Sequence, residues 1–325
     1  MIVAVTGASG HIGINLLPRL IEKGYQVRVL VHKNTKALEG YKVTPIYGDI
    51  LNKASLIECI DGAEIVIHLA GKVTIDKKSD EAIKVNVEGT RNLLEASMEL
   101  SVKKFIYFSS ITSMSVFPLN EVFDENRELN LDNPFDYDRS KALAEQLVME
   151  AASNGLQTVI LNPTAVIGPN DYVPSRLGRA VIQYYKGKIP ALLDTGYNFV
   201  DVRDISQATL GAINVNGKGQ RYILSGNWES LKGFGNAIYK HGGKKPPKIK
   251  VPIWLARFGA GFLNYFSTGN GEDKLFTKAS LETLEHSHKN ISNEKAVNDL
   301  GFKPMDFNQS IGDTVEWFKL NNFLS

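Results

Sequence analysis

Cysteine occurs once in the 325 residues, at Cys59, which excludes an internal disulfide framework and any Cys-based zinc site. The lone thiol reads as a small buried hydrophobe. Net charge is nearly absent as well. Thirty-seven Lys and Arg against 35 Asp and Glu leave +2, no footprint for nucleic acid or an acidic membrane. Long apolar runs are missing. The longest, Val251 to Phe266, carries Arg257 and Asn264 and falls short of the roughly 20 residues a spanning helix needs. Its aromatics Trp254, Phe258, Phe262 and Phe266 recur at helical spacing and read as a lid or core helix. The opening Met-Ile-Val-Ala-Val-Thr-Gly lacks the basic start and small-residue cleavage site of a secretory leader, so a cytoplasmic protein is expected. Four lysines, Lys244, Lys245, Lys248 and Lys250, carry no interleaved aromatic and read as a solvated loop within 242–252.

What is present is an alternation. Short β-branched runs at Ile2–Thr6, Val27–His32, Val43–Tyr47, Ile65–Leu69, Phe105–Ser109 and Thr158–Leu161 read as buried strands. Between them lie helix candidates at Ile12–Lys23, Ala54–Ile60, Glu81–Leu100 and Tyr137–Ser153. Parallel strands need crossover connections, which helices supply, so the pattern predicts an α/β fold: a Rossmann-type doubly wound parallel sheet. A further helix is expected at Ser175–Lys186. Phe199–Val202 and Arg221–Leu224 are expected to return to the sheet as strands. The dinucleotide-binding domain then spans 1–166 and 197–226, and a smaller substrate-binding lobe spans 167–196 and 227–325.

The sharpest local signal is the run Thr6, Gly7, Ala8, Ser9, Gly10, His11, Ile12, Gly13 between the first strand and first helix. Gly7 permits a tight turn, Gly10 lets backbone approach a pyrophosphate, and Gly13 lets helix and strand pack closely. The free N–H groups and partial positive charge of the helix start would face the phosphates. At the end of the second strand a carboxylate would select NAD by bonding the ribose 2′-hydroxyl. Here His32 and Lys33 stand instead, which favours NADP(H), with NAD(H) as the alternative. Asp49 and Ile50 after the third strand, and Leu69, Ala70 and Gly71 after the fourth, point at the same cleft. Asp49 could accept from the adenine amino group or simply cap a turn.

Tyr137 and Lys141 lie four residues apart at a helix start, which puts phenol and ammonium on one face. A tyrosine exchanges protons near neutrality only if its pKa falls about three units, on the order of 4 kcal/mol. A cation one turn away, helped by an oxidised nicotinamide, is the available means. Ser109 and Ser110 precede this pair at the carboxyl end of the fifth strand, where ligands sit in such sheets. Ser110 could donate to a substrate oxygen and stabilise the developing alkoxide charge. Among the histidines, His286 and His288 flank Ser287 at a strand-like spacing. No cysteine accompanies them, they read as exposed loop residues, and no metal is expected.

Together these segments resemble the extended short-chain dehydrogenase/reductases, the NAD-dependent epimerase/dehydratase family. The resemblance rests on the Gly-rich run, Val66-Ile67-His68-Leu69-Ala70-Gly71, Asn86-Val87-Glu88-Gly89-Thr90-Arg91, the serine pair and Tyr137-x-x-x-Lys141. Lys141-Ala142-Leu143-Ala144-Glu145, Asn162-Pro163-Thr164-Ala165-Val166 and Asn198-Phe199-Val200-Asp201-Val202-Arg203-Asp204 are similar to the dihydroflavonol-4-reductase-like branch. The resemblance implies Tyr137 as acid/base, Lys141 as its electrostatic partner and nicotinamide-ribose anchor, and Ser110 as the substrate-polarising hydroxyl, with Ser109 as the alternative. Pro163, Thr164 and Val166 would touch the cofactor at the start of a loop roofing the nicotinamide.

The branch's plant members carry an arginine where His32 stands and a substrate-contacting asparagine where Ser115 aligns, which speaks against a flavonoid substrate. Arg176, Arg179 and Arg203 are either anion contacts or surface salt bridges. The function expected is NADP(H)-dependent interconversion of a small carbonyl compound and its alcohol, with no nucleic-acid partner, no integral membrane association, and a homodimer through the long helices. The alternative is a nucleotide-sugar epimerase with tightly held NAD. A dehydratase is disfavoured because no Asp-Glu pair follows Ser110. A non-catalytic dinucleotide sensor is disfavoured because Ser110, Tyr137 and Lys141 are all kept.

Overall fold

The computed structural model describes residues 1–33, 36–74, 76–252 and 287–325. Twelve strands are found among the described residues. The first six are β1 (Ile2–Thr6), β2 (Gln26–Val31), β3 (Val43–Tyr47), β4 (Ile65–His68), β5 (Lys104–Phe108) and β6 (Gln157–Pro163). The others are β7 (Ala165–Ile167), β8 (Leu192–Leu193), β9 (Gly196–Asp201), β10 (Gln220–Leu224), β11 (Asn227–Ser230) and β12 (Lys250–Val251). Seven form one parallel sheet in the order β10-β6-β5-β4-β1-β2-β3. The strand order reverses between β1 and β4, so a crevice opens there at the carboxyl ends of the strands.

Alternate residues of each strand serve opposite faces of this sheet. Val3 and Val5 of β1, Ile65 and Ile67 of β4, and Ile106 and Phe108 of β5 join one core with α1 (His11–Glu22) and a later helix, Val202–Asn214. Ala4, Val66, Phe105 and Tyr107 face the other way, against α2 (Lys53–Ile60) and the helices Gly89–Glu99 and Asp136–Ser153. Leu16, Leu17 and Leu20 of α1 are fully buried, each contributing about 1.5–3 kcal/mol relative to exposure. Cys59 lies in the second core, its thiol pushed up to about 12 by burial.

The helix expected at 81–100 is not uniform. It runs as α3 (Asp80–Ile83), a wide π turn (Lys84–Glu88) and α4 (Gly89–Glu99). The wide turn seats the buried Asn86, whose amide accepts from Lys72 N (2.7 Å) and donates to Lys72 O (3.0 Å) and Ser140 Oγ (2.8 Å). Next come α5 (Asp136–Ser153), α6 (Arg176–Tyr185), α7 (Val202–Asn214), α8 (Leu231–Lys240), α9 (Glu294–Leu300) and α10 (Phe307–Leu320).

The segment expected to return to the main sheet at Phe199–Val202 does not do so. β10 already occupies that edge through five residues paired to β6, and β9 instead joins β7 and β11 in a separate three-stranded sheet. That sheet packs on α6, α8 and α10 through Phe199, Phe234 and Phe307, with Phe199 and Phe234 stacked at 5.1 Å. The lysine-rich connection is partly ordered: β12 pairs with β8, and Lys250 reaches Asp194 at 3.3 Å. The aromatic run Trp254–Phe266 and His286 lie outside the described residues. Among the described residues no helix is long and apolar enough to cross a membrane.

Candidate active site

The Gly-rich turn sits at the strand-order reversal. Gly7 has φ +73°, and a Cβ there would lie 2.5 Å from Ala70 N, so the β1 and β4 loops touch through bare backbone. At Gly13 a Cβ would lie 2.5 Å from Ala8 O, which fixes how closely α1 approaches the turn. Gly10 is exposed and a Cβ on it would meet only Gly7 O, at 3.2 Å, leaving its outer face clear for a ligand. The side chain of His11 turns away, with Nε2 3.0 Å from Pro169 O, and so ties the turn to the loop after β7. Ser9 and Ile12 are half-buried beside it. A cradle of backbone at the start of a helix, open on one side, fits a dinucleotide pyrophosphate.

At the far end of the cleft, His32 and Lys33 are exposed beyond β2. His32 Nε2 lies 3.2 Å from Asp49 Oδ2, and Asp49 Oδ1 accepts from Leu51 N at 2.8 Å. Asp49 thus caps its own turn and leans on His32. The buried Ile50 packs where a Cβ on Gly89 would fall, 2.8 Å from its Cγ1.

The chemical end gathers around the start of α5. Lys141 Nζ donates to Phe108 O at 2.8 Å and lies 5.2 Å from the centre of the Tyr107 ring. Burial lowers its pKa to about 8 against the pull of the Glu145 carboxylate. A Cβ on Gly71 would sit 3.4 Å from this ammonium, so the loop after β4 borders it. Ser110 is a neighbour of Tyr137 that favours the ionised phenol. Ser110 Oγ lies 3.0 Å from Thr112 Oγ1 and accepts from Thr112 N at 3.2 Å. Ser109 Oγ is buried without a hydrogen-bond partner and does not join this pair. Burial, then the Asp138 carboxylate, push the Tyr137 phenol up, with Ser110 and Arg176 opposing.

A cavity of about 100 Å³ opens beside Thr112, bounded by Val116, Phe123, Thr164, Tyr197, Asn198 and His288. Thr164 is buried, its Oγ1 donating to Leu224 O at 3.3 Å. Pro163 is buried and Val166 half-buried beside it. His288, expected as an exposed loop residue, is buried instead. Its Nε2 lies 2.7 Å from Val116 O and its ring packs edge-on to Phe123. Burial pushes Tyr197 up to about 12.

The three arginines separate. Arg203 is bound to Asp201 (2.8 Å) and Asp313 (2.7 Å), a structural pair. Arg179 donates to Pro174 O at 2.7 Å. Arg176 is half-buried near Tyr137 and Tyr197, and burial lowers its pKa.

Several residues at this site were not singled out in the sequence. Glu145, fully buried, accepts from Ser113 Oγ (2.7 Å) and Asn162 Nδ2 (2.9 Å) and lies 2.7 Å from Arg221 Nε. Asn162 Nδ2 also donates to Ser110 O, and Ser113 Oγ, whose single proton serves either Glu145 or Ser110 O, lies 2.8 Å from it, which fixes the turn carrying Ser110. The repeat Tyr137, Lys141, Glu145 on one helix face is the signal that could have found it. Burial raises the Asp138 carboxyl to about 6 with Thr112 opposing, and only adjacency to Tyr137 marks Asp138 in the sequence.

Comparison with known proteins follows the same lines. Residues 3–224 match the model of the NAD dependent epimerase/dehydratase family. A Synechocystis sp. protein bearing the name dihydroflavonol 4-reductase is 30% identical, the match covering 98% of this chain and 95% of that one. Sterol demethylase protein B of Methylococcus capsulatus is 28% identical, with 98% of each chain covered. The crystal structure of gox2253 superposes with a TM-score of 0.86 at 27% identity, covering 100% of this chain and 99% of its own.

Proposed function

The chain belongs to the NAD dependent epimerase/dehydratase family, and from that premise we propose that it is an NADP(H)-dependent reductase interconverting a small carbonyl compound and its alcohol. The observation that carries this reading is the half-buried Tyr137, neighboured by Ser110 and one helix turn from the buried Lys141, with a cavity of mostly apolar walls opening at Thr112. In this reading 1–166 and 197–226 hold the dinucleotide, while 167–196 and 227–325 shape the substrate site.

Gly7, Gly10 and Gly13 would hold the pyrophosphate, and Leu69, Ala70, Gly71, Pro163, Thr164 and Val166 would border the nicotinamide half. A bound nicotinamide dinucleotide supplies or accepts the hydride. The protein handles the proton. Ser110 orients the substrate oxygen toward Tyr137, whose hydroxyl donates to the developing alkoxide or, as phenolate, takes the alcohol proton. Lys141 is the cation that makes this exchange accessible. The phenol starts above its ordinary value, so the bound state must bring it down at least about three units, on the order of 4 kcal/mol. A Lys141 ammonium beside the loop at Gly71 is placed to contribute to that.

The NADP(H) preference rests on the absence of a carboxylate at the end of β2 and on His32 and Lys33 there. Asp49 gives the NAD(H) reading its own support, because its carboxylate occupies His32 and would repel a 2′-phosphate. Separate NADPH and NADH titrations followed by intrinsic fluorescence decide between them, and a screen of carbonyl compounds for NADPH oxidation tests the reaction. Tighter NADPH binding with turnover of a carbonyl supports the proposal. Nicotinamide absorbance that survives purification, with no net reduction of any carbonyl, would favour an epimerase.

A further inference from the structure

We propose that His68 is a positioning residue: the neutral joint through which the dinucleotide turn and the helix carrying Tyr137 and Lys141 keep a fixed separation. The inference rests on the reductase reading, in which that separation decides how a carbonyl meets hydride and proton. His68 ends β4 and stands in register with Thr6 of β1, at the strand-order reversal where the Gly-rich turn begins. Its Nδ1 lies 2.7 Å from Thr6 Oγ1, and its Nε2 lies 2.9 Å from Thr90 Oγ1 on α4. Thr90 Oγ1 in turn donates to Asn86 O at 2.6 Å. The Asn86 amide donates to Ser140 Oγ (2.8 Å), whose own proton goes to Tyr137 O at 2.6 Å. Thr6, His68, Asn86, Thr90 and Ser140 are all buried.

Because a hydroxyl has a single proton to give, the direction of every bond in this ladder is fixed. Thr90 faces a backbone carbonyl, which can only accept, so its proton is spent on Asn86 O and its oxygen accepts from His68 Nε2–H. Nδ1 of the neutral imidazole is then bare and accepts from the Thr6 hydroxyl. The Thr6 oxygen is left to accept from Ala70 N at 3.3 Å. A second proton on His68 would set Nδ1–H against the Thr6 O–H. Burial opposes that proton as well, followed by the Lys141 ammonium, and together they lower the imidazole to about 3. The rings of Phe105 and Tyr107 cover it at 6.0 and 5.6 Å. His68 therefore neither gives nor takes a proton in catalysis. It is a spacer that donates on one side and accepts on the other.

The ladder grips the loop after β4 at both ends. Thr6 Oγ1 holds Ala70 N, while the Asn86 amide holds Lys72 N and O at 2.7 and 3.0 Å. Between them Gly71 comes so close that a Cβ on it would stand 3.2 Å from Asn86 Oδ1 and 3.4 Å from Lys141 Nζ. At the other end Ser140, the residue before Lys141, fastens the Tyr137 carbonyl. With the nicotinamide half bordered by Ala70 and Gly71, the height of this loop above Tyr137 and Lys141 sets the geometry of transfer. A displacement of about 1 Å arising away from the chemistry can cost on the order of a hundredfold in rate. His68 forms no wall of the cavity at Thr112, so its loss should act on kcat and not on substrate affinity.

Three variants test this: His68→Phe, Thr90→Val and Thr90→Ser. With a carbonyl from the NADPH-oxidation screen, His68→Phe and Thr90→Val should lower kcat at least about tenfold, while carbonyl KM and NADPH Kd stay within about threefold of wild type. Thr90→Ser returns the hydroxyl and should recover most of the lost kcat. An unchanged kcat, losses shared equally by kcat, KM and Kd, or a serine variant no better than valine overturns the proposal. Should His68→Phe fail to fold, the near-isosteric Thr90→Val still decides. NMR adds a test that needs no turnover. In ¹⁵N-histidine spectra His68 should be a neutral Nε2–H imidazole that does not titrate between roughly pH 5 and 8. In ¹³Cε-lysine spectra Lys141, identified by its absence from Lys141→Met, should titrate near 8 in the wild type and higher in Thr90→Val, as the loosened loop admits water, with Thr90→Ser returning it. An Nδ1–H tautomer, a titrating His68, or a Lys141 that Thr90→Val does not move overturns the proposal. Tyr137→Phe run alongside separates the two ideas: a fully active phenylalanine variant, or a screen in which no carbonyl is reduced, sinks the reductase reading, while the NMR results judge His68 by themselves.

Discussion

Replacing Arg221 with methionine tests how the site keeps a carboxylate buried beneath it. Glu145 is fully buried and Arg221 is 11% exposed, with Nε 2.7 Å from Oε1. The contact is an ion pair rather than an aligned hydrogen bond, since Oε1 accepts none. At that separation and an effective dielectric near 20 the attraction is on the order of 6 kcal/mol, most of it offset by desolvating both ions. Removing one partner forfeits the attraction and leaves the desolvation in place. Arg221→Met should therefore lose about 3–5 kcal/mol in urea unfolding, roughly a fifth or more of a typical domain's stability. Adding Glu145→Gln should recover part of it, because the neutral amide still accepts from Ser113 and Asn162. Activity should fall with Arg221→Met too, since those two side chains also hold Ser110 O. A loss below about 1 kcal/mol, or single-variant effects that merely add in the double variant, would refute the reasoning.

Three other outcomes follow from the geometry. Gly13→Ala forces a methyl to within 2.5 Å of Ala8 O, so α1 must shift. A destabilisation of about 1–3 kcal/mol and weaker dinucleotide binding by calorimetry are expected. Lys141 titrates near 8 when folded and at its ordinary, higher value when unfolded, so between those values the unfolded chain binds more protons and stability rises with pH. From pH 8 to 10 this contributes on the order of 2 kcal/mol, and Lys141→Met should remove that rise from urea-unfolding profiles. His32→Ala should weaken NADPH binding more than NADH binding, whereas Asp49→Asn frees His32 and should strengthen NADPH; fluorescence titration reads both.

Much of the architecture is legible because buried parallel strands write themselves as short β-branched runs. Val3, Val5, Ile65, Ile67 and Ile106 do so here. Phe199 looks equally strand-like, and it is one. Which sheet it joins is not legible from the run itself, because pairing depends on which edge is free and β10 holds the edge beside β6. The glycine turn and the Tyr137–Lys141 pair were visible as spacings within one element. Asp49 was visible but ambiguous, since the same carboxylate can face a ligand or cap its own turn. His288 seemed exposed because no periodicity surrounds it, whereas its burial comes from Phe123 and Val116, far away in sequence. Glu145 and Arg221 are not legible in the sequence because their meaning lies in contacts between elements. At Tyr137 spacing shows a nearby cation, but only packing shows how strongly burial opposes it.

The central claim is that the Tyr137 hydroxyl moves the proton while hydride moves between dinucleotide and substrate. Single-turnover reduction with deuterated NADPH, comparing the wild type with Tyr137→Phe, tests it most directly. The wild type should deliver deuterium to the carbonyl carbon, and the phenylalanine variant should bind NADPH as tightly yet transfer essentially none. Transfer at the wild-type rate in the variant would contradict the account.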